Sequence, residues 1–231
     1  QTQRMKDLIN MVLDVRKMEV GESKLLLNKH NLNQWLQDTG KDFIDEGDEK
    51  NIQISFQLDP NVTEVVYDQN KLMIIISNLL INALKYSPEN GTILLKTELC
   101  QDDKFVKISI SDQGNGINGL DSKKLFTRFY QGNQNREGSG IGLSYAKMLI
   151  ELHHGEIGAY NNSDKGATFF IKLPITLTPS EEPCQPKAYL NELMDLSLMK
   201  DTAITQPTID KDKFQQWNIL IVDDNNNLTD F

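Results

Sequence analysis

Two spacings of apolar residues divide the chain into predicted helices and strands. Apolar positions three and four residues apart predict a helix over residues 1–20 and another over about residues 32–48. Strict alternation of apolar and polar residues predicts a half-buried strand over residues 52–58, and a short apolar run predicts a strand over residues 24–28. The first helix precedes every strand signal, so it is either a surface helix or part of a bundle or coiled coil.

A long helix follows in the middle of the chain. Asp68 is placed to cap its N-terminus, and the helical spacing continues to about Tyr86. The later pattern predicts strands near 92–99 and 104–112 around a turn at 101–103, a short helical stretch near 122–129, a helix near 141–152, and strands near 156–161 and 167–173. Adjacent strand pairs mixed with helices predict an α+β fold, a two-layer α/β sandwich whose antiparallel or mixed sheet is covered by helices on one face.

The end of the chain has a different composition. From Thr176 to about Gln216, prolines, serines and acidic residues replace the strand pattern, which predicts a linker. Residues 217–224 then form an apolar run that ends in two acids, either the first strand of another α/β domain or an acidic tail. The predicted parts are therefore residues 1–22, 23–176, 177–216 and 217–231.

Charge and cysteine content exclude several classes of protein. The 231 residues carry a net charge of −9, which argues against a nucleic-acid surface because phosphate backbones need a concentrated positive patch. Cys100 and Cys184 are predicted to be free thiols, and no cysteine and histidine pair has zinc-ligand spacing. No apolar run approaches the roughly 18 residues of a membrane span. The chain opens without Met, so we expect a fragment whose membrane attachment, if any, lies outside it.

The long helix carries the first candidate site residues. Asn78 and Asn82 are four positions apart and project from one face. An amide oxygen is a neutral ligand for Mg²⁺, and the metal in turn binds phosphate oxygens. Lys85, on the next turn, is a point charge for a phosphate. This face is either a phosphate and metal site or a row of solvated polar side chains.

Three further motifs have the chemistry of a nucleotide pocket. Asp112 follows a strand and can accept a hydrogen bond from an adenine amino group, and Gly114 and Gly116 let the backbone approach a purine. The Gly138–Leu143 segment opens a helix, whose free amides favour an anion. Thr168 begins the last strand and is a candidate for the adenine side of the pocket. The glycine segment is neither a Rossmann nor a Walker motif, since no parallel strand precedes it and no Lys-Ser/Thr pair follows.

In this order, over residues 24–175, the motifs resemble the histidine-kinase catalytic domain of the Bergerat (GHKL) ATPase superfamily. Residues 125–130 look like the phenylalanine box of the kinase ATP lid. The resemblance implies the Bergerat ATP-binding fold, ATP and Mg²⁺ as cofactors, and a mobile lid.

The resemblance also implies a role for each matching residue. Asn82 resembles the Mg²⁺ ligand, Asn78 its neighbour near the phosphates, and Lys85 the phosphate-contacting lysine. Asp112 resembles the acid that reads adenine. The remaining implied nucleotide contacts are Tyr86, Gly114, Gly116, Phe129, Gly138, Gly140, Ile141, Gly142, Leu143 and Thr168.

Asn78 separates subfamilies. DNA gyrase and chaperone relatives carry at this position a glutamate that activates water, and an amide cannot take that proton. Asn78 therefore favours transfer to a side chain that is already nucleophilic, such as a histidine imidazole, over hydrolysis.

The two ends of the chain extend the resemblance. Residues 8–19 resemble the second helix of the dimerisation and phosphotransfer hairpin, which implies pairing with a second copy, and residues 218–225 resemble the first strand of a receiver domain, which implies a hybrid kinase. We expect no acceptor among the three histidines: His30 lacks an acidic neighbour after it, and His153 and His154 are interpreted as C-terminal capping or surface residues.

The predicted function is transfer of the ATP γ-phosphoryl group to a histidine on a helix absent from this chain, for relay to a receiver aspartate. The expected location is the cytoplasmic side of a bacterial inner membrane, with membrane contact only through segments outside this sequence. Two alternatives remain at this stage. One is a degenerate module that relays conformation without catalysis, and the other is a serine kinase of the same superfamily that acts on a partner protein.

Overall fold

The computed structural model describes residues 24–44, 47, 50–100, 104–117, 122, 124–128, 130 and 140–180. The strands are β1 (Asn28–Asn31), β2 (Gln53–Leu58), β3 (Glu64–Tyr67), β4 (Thr92–Leu99), β5 (Phe105–Ser111), β6 (Glu156–Asn161) and β7 (Ala167–Pro174). The helices are α1 (Leu32–Lys41), α2 (Gln69–Tyr86) and α3 (Gly142–Leu152), with a 3₁₀ turn at Lys124–Phe126. All of these lie in a unit spanning Gln1–Met199, whereas the second unit, Lys200–Phe231, lies outside the described residues.

Five strands form one mixed sheet in the order β2-β4-β5-β7-β6. The β2–β4 pair is parallel and the other neighbours are antiparallel. β1 and β3 pair separately as a two-stranded antiparallel ribbon. The fold is thus the predicted α+β sandwich, because no strand pair beyond β2–β4 needs a parallel crossover.

Alternation along the central strands shows which face of the sheet meets the core. Val106, Ile108 and Ile110 of β5 are at most 1 % exposed and belong to the same core cluster as the apolar residues of α2 and α3. On β7 the core positions are the odd-numbered residues Phe169, Ile171 and Leu173. Because side chains alternate between faces, residues of odd number on β5 and even number on β7 point to the opposite face, called helix-free because none of the described helices packs on it.

The long helix α2 begins where its cap was predicted. Asp68 is extended, and its Oδ1 accepts a hydrogen bond from the Lys71 amide at 3.1 Å. The helix ends at Tyr86, since Ser87 precedes Pro88 and a residue before proline is excluded from helical geometry. Buried residues of α2 make up a large part of the core: Leu72, Ile75, Ile76, Leu79, Leu80, Ala83 and Leu84. The predicted strands at 92–99, 156–161 and 167–173 and the helix near 141–152 are confirmed.

Two predicted elements have different bounds. The strand expected at 24–28 lies instead at Asn28–Asn31, because the amides of Leu26 and Leu27 donate to the side chains of Asp68 and Ser180 rather than to a strand. The helix predicted over about residues 32–48 corresponds to α1, which ends at Lys41. Just after this end, the Phe43 amide donates to the Gly40 carbonyl at 3.2 Å. β3 was not predicted, since it is only four residues long.

His153 confirms one half of a sequence-based interpretation and corrects the other. It caps the C-terminus of α3, where its Nδ1 lies 2.8 Å from the Leu149 carbonyl, but it is fully buried and is not a surface residue. The predicted N-terminal helix, the linker beyond Ser180, the receiver-like strand and Cys184 all lie outside the described residues, whereas Cys100 is a free thiol. None of the described helices is long and apolar enough to cross a membrane.

Candidate nucleotide site

The C-terminal half of α2 presents the predicted polar face. Asn78, Asn82 and Lys85 are partly buried, and Tyr86 is 42 % exposed. The Asn78 amide nitrogen donates to the Ile74 carbonyl at 2.8 Å, so its Oδ1 is the atom that faces outward from the helix. The Lys85 ammonium lies 5.7 Å from the centroid of the Tyr86 ring. This places two amide oxygens and a cation along one side of a helix, as the spacing predicted.

The N-terminus of α3 lies against this face. A Cβ added to Gly142 would overlap Asn78 Oδ1, so the asparagine and the first residue of α3 are in direct apposition. Ile141 provides no side-chain cap, and the Ser144 hydroxyl donates to the Ile141 carbonyl instead of capping an amide. No described residue accepts a hydrogen bond from the Gly142 or Leu143 amide, which makes this end suitable for an anion. Gly140 precedes the helix with φ +67°.

Asp112 stands at the end of β5 and is 4 % exposed. Its Oδ1 accepts hydrogen bonds from the Gly114 amide at 2.8 Å and the Ala167 amide at 3.2 Å. No described residue donates to its Oδ2, which remains an acceptor for a ligand. By the alternation of β5, Asp112 faces the same side of the sheet as the helices.

Burial raises the pKa of the Asp112 carboxyl above its ordinary value, and the two backbone hydrogen bonds oppose that shift only in part. The carboxylate therefore costs stability when it is ionised at neutral pH. A buried carboxylate that destabilises the fold and has one oxygen without a described donor, as Asp112 has, is characteristic of a ligand-binding residue.

Two glycines permit the backbone packing around Asp112. A Cβ at Gly114 would overlap the Tyr86 carbonyl, so only glycine lets the loop after β5 touch the end of α2. Gly166 has φ +85°, and a Cβ there would overlap the Asp112 carbonyl. Gly116, also at positive φ, lies beside Asn161, whose Oδ1 accepts from the Ile117 amide at 2.7 Å.

Thr168 is not brought to the helix side of the sheet. It pairs with Ser111 across β5 and β7, both on the helix-free face, and its hydroxyl lies 2.7 Å from Ser111 Oγ. Ala167 is the residue of β7 that meets Asp112 directly. A direct contact of Thr168 with a nucleotide base is therefore not supported by this geometry. Phe129 and Gly138, two further predicted contacts, lie outside the described residues.

Asn162 is a residue that the sequence did not single out. Its amide nitrogen donates to the Asp112 carbonyl at 2.9 Å and to the Lys165 carbonyl at 3.1 Å, and its Oδ1 accepts from Thr168 Oγ1 at 2.6 Å. The β6–β7 turn thereby holds the Asp112 backbone from the helix-free side. The only sequence signal was a pair of asparagines before the last glycine motif, a composition common to many turns.

Replacing Asn162 by alanine is expected to weaken Mg·ADP binding about tenfold, because the Asp112 backbone loses its tether to the β6–β7 turn. Titration calorimetry measures the change, with Asn61→Ala as the matched control, since Asn61 lies in an exposed turn remote from the site and bonds only to Asp59. Unchanged affinity in Asn162→Ala would show that Asp112 is positioned without this turn.

A cleft of about 670 Å³ opens beside this region. Tyr86, Gly114, Asn162 and Gly166 are among its lining residues, while Asn78, Asn82 and Asp112 are not. The cleft therefore flanks the polar face of α2 and does not enclose it within the described part of the chain. Among the same residues no three histidine, cysteine or acidic side chains cluster as a metal site.

Comparison with known proteins identifies the family of this domain. Residues 67–177 match the model of the histidine kinase-, DNA gyrase B- and HSP90-like ATPase family. Histidine kinase P4 of Formosa agariphila is 32 % identical over 97 % of this chain, which spans only 17 % of that relative's length.

Two solved structures have the same fold. Full-length ShkA, in complex with AMPPNP, aligns with a TM-score of 0.67 at 24 % identity, over 77 % of this chain and 37 % of that one. The catalytic domain of histidine kinase ThkA aligns with a TM-score of 0.58 at 26 % identity, over 64 % of this chain and 97 % of that one. Residues 67–177 therefore form a domain of the histidine kinase-, DNA gyrase B- and HSP90-like ATPase family, an ATP-binding catalytic domain of the histidine-kinase type.

Proposed function

We propose that this domain binds Mg·ATP between the polar face of α2 and the N-terminus of α3 and transfers the γ-phosphoryl group to a histidine of a helical hairpin. The observation that carries the proposal is the apposition of Asn78 and Gly142, which joins an amide side chain to a helix N-terminus that favours phosphate. Asp112, at the end of β5, supplies the acceptor for an adenine amino group through its free Oδ2.

Positioning and charge neutralisation account for the chemistry in this proposal. The amides at the start of α3 and the Lys85 ammonium hold the phosphates, which fixes the γ-phosphorus in line with an incoming nucleophile. Asn78 cannot act as a base toward water, so the nucleophile has to be reactive by itself, as a neutral imidazole is. This favours transfer over hydrolysis.

The residues present fit a Mg²⁺ ion. Asn82 is partly buried on the same face as Asn78, and no described residue bonds to its amide, so its oxygen is available as a hard, neutral ligand. When bound, the metal would neutralise the negative charge of the phosphates. We propose Asn82 as the protein ligand.

The acceptor histidine in this proposal lies outside the present sequence, on the helix that pairs with residues 1–22. His153 is unsuitable because it is fully buried and both ring nitrogens are already hydrogen-bonded. We further propose that this hairpin pairs with a second copy and that residues 217–231 begin a receiver domain, which takes the phosphoryl group from histidine on a cytoplasmic, membrane-attached protein.

The test is phosphorylation of a longer version of the chain that includes the preceding helix, with ATP labelled on the γ-phosphate. We expect a label that is lost in acid and kept in alkali, as a phosphoramidate bond requires. A label with the opposite stability would indicate a serine kinase. Absence of both label and Mg·ADP binding in folded protein would indicate a degenerate module and would contradict the proposal.

A further inference from the structure

Helices α2 and α3 are antiparallel, and the two ends of α3 contact the middle and the start of α2. At one end Gly142 lies against Asn78, as described above. At the other end His153, directly after α3, bonds to Asp68, directly before α2. Asp68 and Asn78 are ten positions apart in sequence, which corresponds to about 15 Å along a helix. Two contacts at this separation determine the register of α3 against α2 as well as their spacing.

The contact at the far end is a pair of directional hydrogen bonds. His153 Nε2 accepts from the Asp68 amide at 3.1 Å. Since Nε2 carries no proton, Nδ1 carries the single proton of the neutral ring, and it lies 2.8 Å from the Leu149 carbonyl, to which it donates. The neutral Nδ1–H tautomer therefore satisfies both partners, whereas a protonated ring would turn Nε2 into a donor facing another donor. The ring is fully buried, so no water can replace either bond.

Much of the remaining contact between these helices is apolar. The core around them consists of apolar side chains such as Leu72 and Leu149, whose burial favours close contact but does not select one register. The Asp68 carboxylate adds a further link, because its Oδ2 accepts from the Leu26 amide at 3.0 Å and so ties the segment before β1 to the same point.

We propose that His153 is a positioning residue for nucleotide binding: by joining the end of α3 to the start of α2, it fixes the Gly140–Leu143 amides opposite Asn78 and Asn82. This role rests on the proposed function of that site. His153 itself touches neither nucleotide nor metal. It acts about 15 Å away, by removing the freedom of α3 to slide along α2.

Two amide variants separate the two hydrogen bonds. In His153→Asn the side-chain amide takes the place of Nδ1 and keeps the bond to Leu149, but it is too short to reach Asp68. In His153→Gln the amide oxygen takes the place of Nε2 and keeps the bond to Asp68. We expect Mg·ADP to bind His153→Asn about tenfold more weakly than the parent chain and His153→Gln within about threefold of it. Titration calorimetry at pH 8 is the measurement, at a temperature where circular dichroism shows each variant folded.

Acidification provides an independent readout. Burial lowers the pKa of His153 from its usual 6.5, so the ring takes up a proton only below that pH. The titratable groups facing it are Asp68 at the N-cap of α2, Lys71 in α2 and the neighbouring His154, and both variants keep them. We expect parent affinity for Mg·ADP to fall more steeply below pH 6.5 than the affinity of His153→Gln, in which this titration is absent.

The outcomes distinguish this proposal from the function on which it rests. If the folded parent chain does not bind Mg·ADP at all, the proposed function fails. If the parent binds and His153→Asn melts at a lower temperature but binds equally well, His153 is only a structural residue and the positioning role is overturned. Equal loss of affinity in the asparagine and glutamine variants would also overturn it, because the bond to Asp68 would then not be what matters.

Discussion

Replacing Asp112 by asparagine is expected to weaken Mg·ADP binding by about ten- to a hundredfold while making the nucleotide-free protein more stable at neutral pH. Loss of affinity follows because an asparagine presents an NH₂ group where Oδ2 accepts, and hydrogen bonds to a charged acceptor contribute about 1.5–3 kcal/mol. Asparagine retains an Oδ1 acceptor for the Gly114 and Ala167 amides, so the loop after β5 keeps its anchors.

The gain in stability follows from the direction of the pKa shift. Burial raises the pKa of Asp112 above its usual 3.8, so the folded state binds its proton more tightly than the unfolded state does. Protonated Asp112 therefore contributes fully to the free energy of unfolding below pH 3.8, and this contribution is lost as the pH rises through the pKa of the folded state. At neutral pH the buried charge destabilises the folded protein. The neutral amide removes that cost. Thermal unfolding of both proteins at pH 4 and pH 7 should show an advantage for Asp112→Asn that is larger at pH 7.

Asp59 supplies a control, because its pKa is shifted in the opposite direction to that of Asp112. Hydrogen bonds from Asn61 lower the pKa of Asp59, so Asp59→Asn should slightly destabilise the protein and leave nucleotide affinity unchanged. Parent-like affinity in Asp112→Asn would contradict the base-reading role, and a lower melting temperature would contradict the cost assigned to the buried carboxylate.

The second large effect is expected for Gly166→Ala. The residue has φ +85°, and the added methyl group would overlap the Asp112 carbonyl, so the turn has to open in order to accommodate it. We expect a loss of about 2–4 kcal/mol of stability, which corresponds to a melting temperature lower by about 5–15 °C. Mg·ADP affinity should fall in the remaining folded protein, since the carbonyl that moves belongs to Asp112.

Gly158→Ala is the matched control on the neighbouring strand. The atoms nearest to a methyl group at Gly158 belong to the far end of the Phe170 ring, a side chain and not the backbone, and φ at Gly158 is not positive. This variant should therefore retain nucleotide affinity and most of its stability in the same scanning calorimetry and titration experiments. If Gly158→Ala lowered stability and affinity as much as Gly166→Ala does, general crowding of β6 and β7 would explain the result. The positive φ of Gly166 in the β6–β7 turn would then not be the cause.

Local signals in the sequence determined most of the fold. Apolar spacing located α2, α3 and five of the strands because each buries one continuous stripe or face, and such a pattern can be recognised directly in the sequence. The Asp68 cap was predictable for the same reason, since it acts on an amide only three residues away. Where backbone groups bond instead to distant side chains, as Leu27 does to Ser180, the predicted bounds were wrong.

The polar face of α2 could also be predicted from the sequence. The spacing of Asn78 and Asn82 places both on one side of any helix, and Asp112 with its glycines followed a strand that the pattern had identified. These residue types have few other uses in such an order, so the family and its nucleotide chemistry could be predicted without coordinates.

Only the tertiary structure decided which face each strand end presents and which distant residues meet. Strand alternation, anchored by the buried side chains of β5 and β7, turned Thr168 away from the helices and Asp112 toward them. The tertiary structure also revealed two hydrogen bonds between distant residues. Asn162 bonds to the Asp112 carbonyl, 50 positions away, and the buried His153 bonds to the Asp68 amide, 85 positions away. A sequence pattern reports periodicity along one segment, whereas a hydrogen bond between two segments depends on how the sheet and helices pack together.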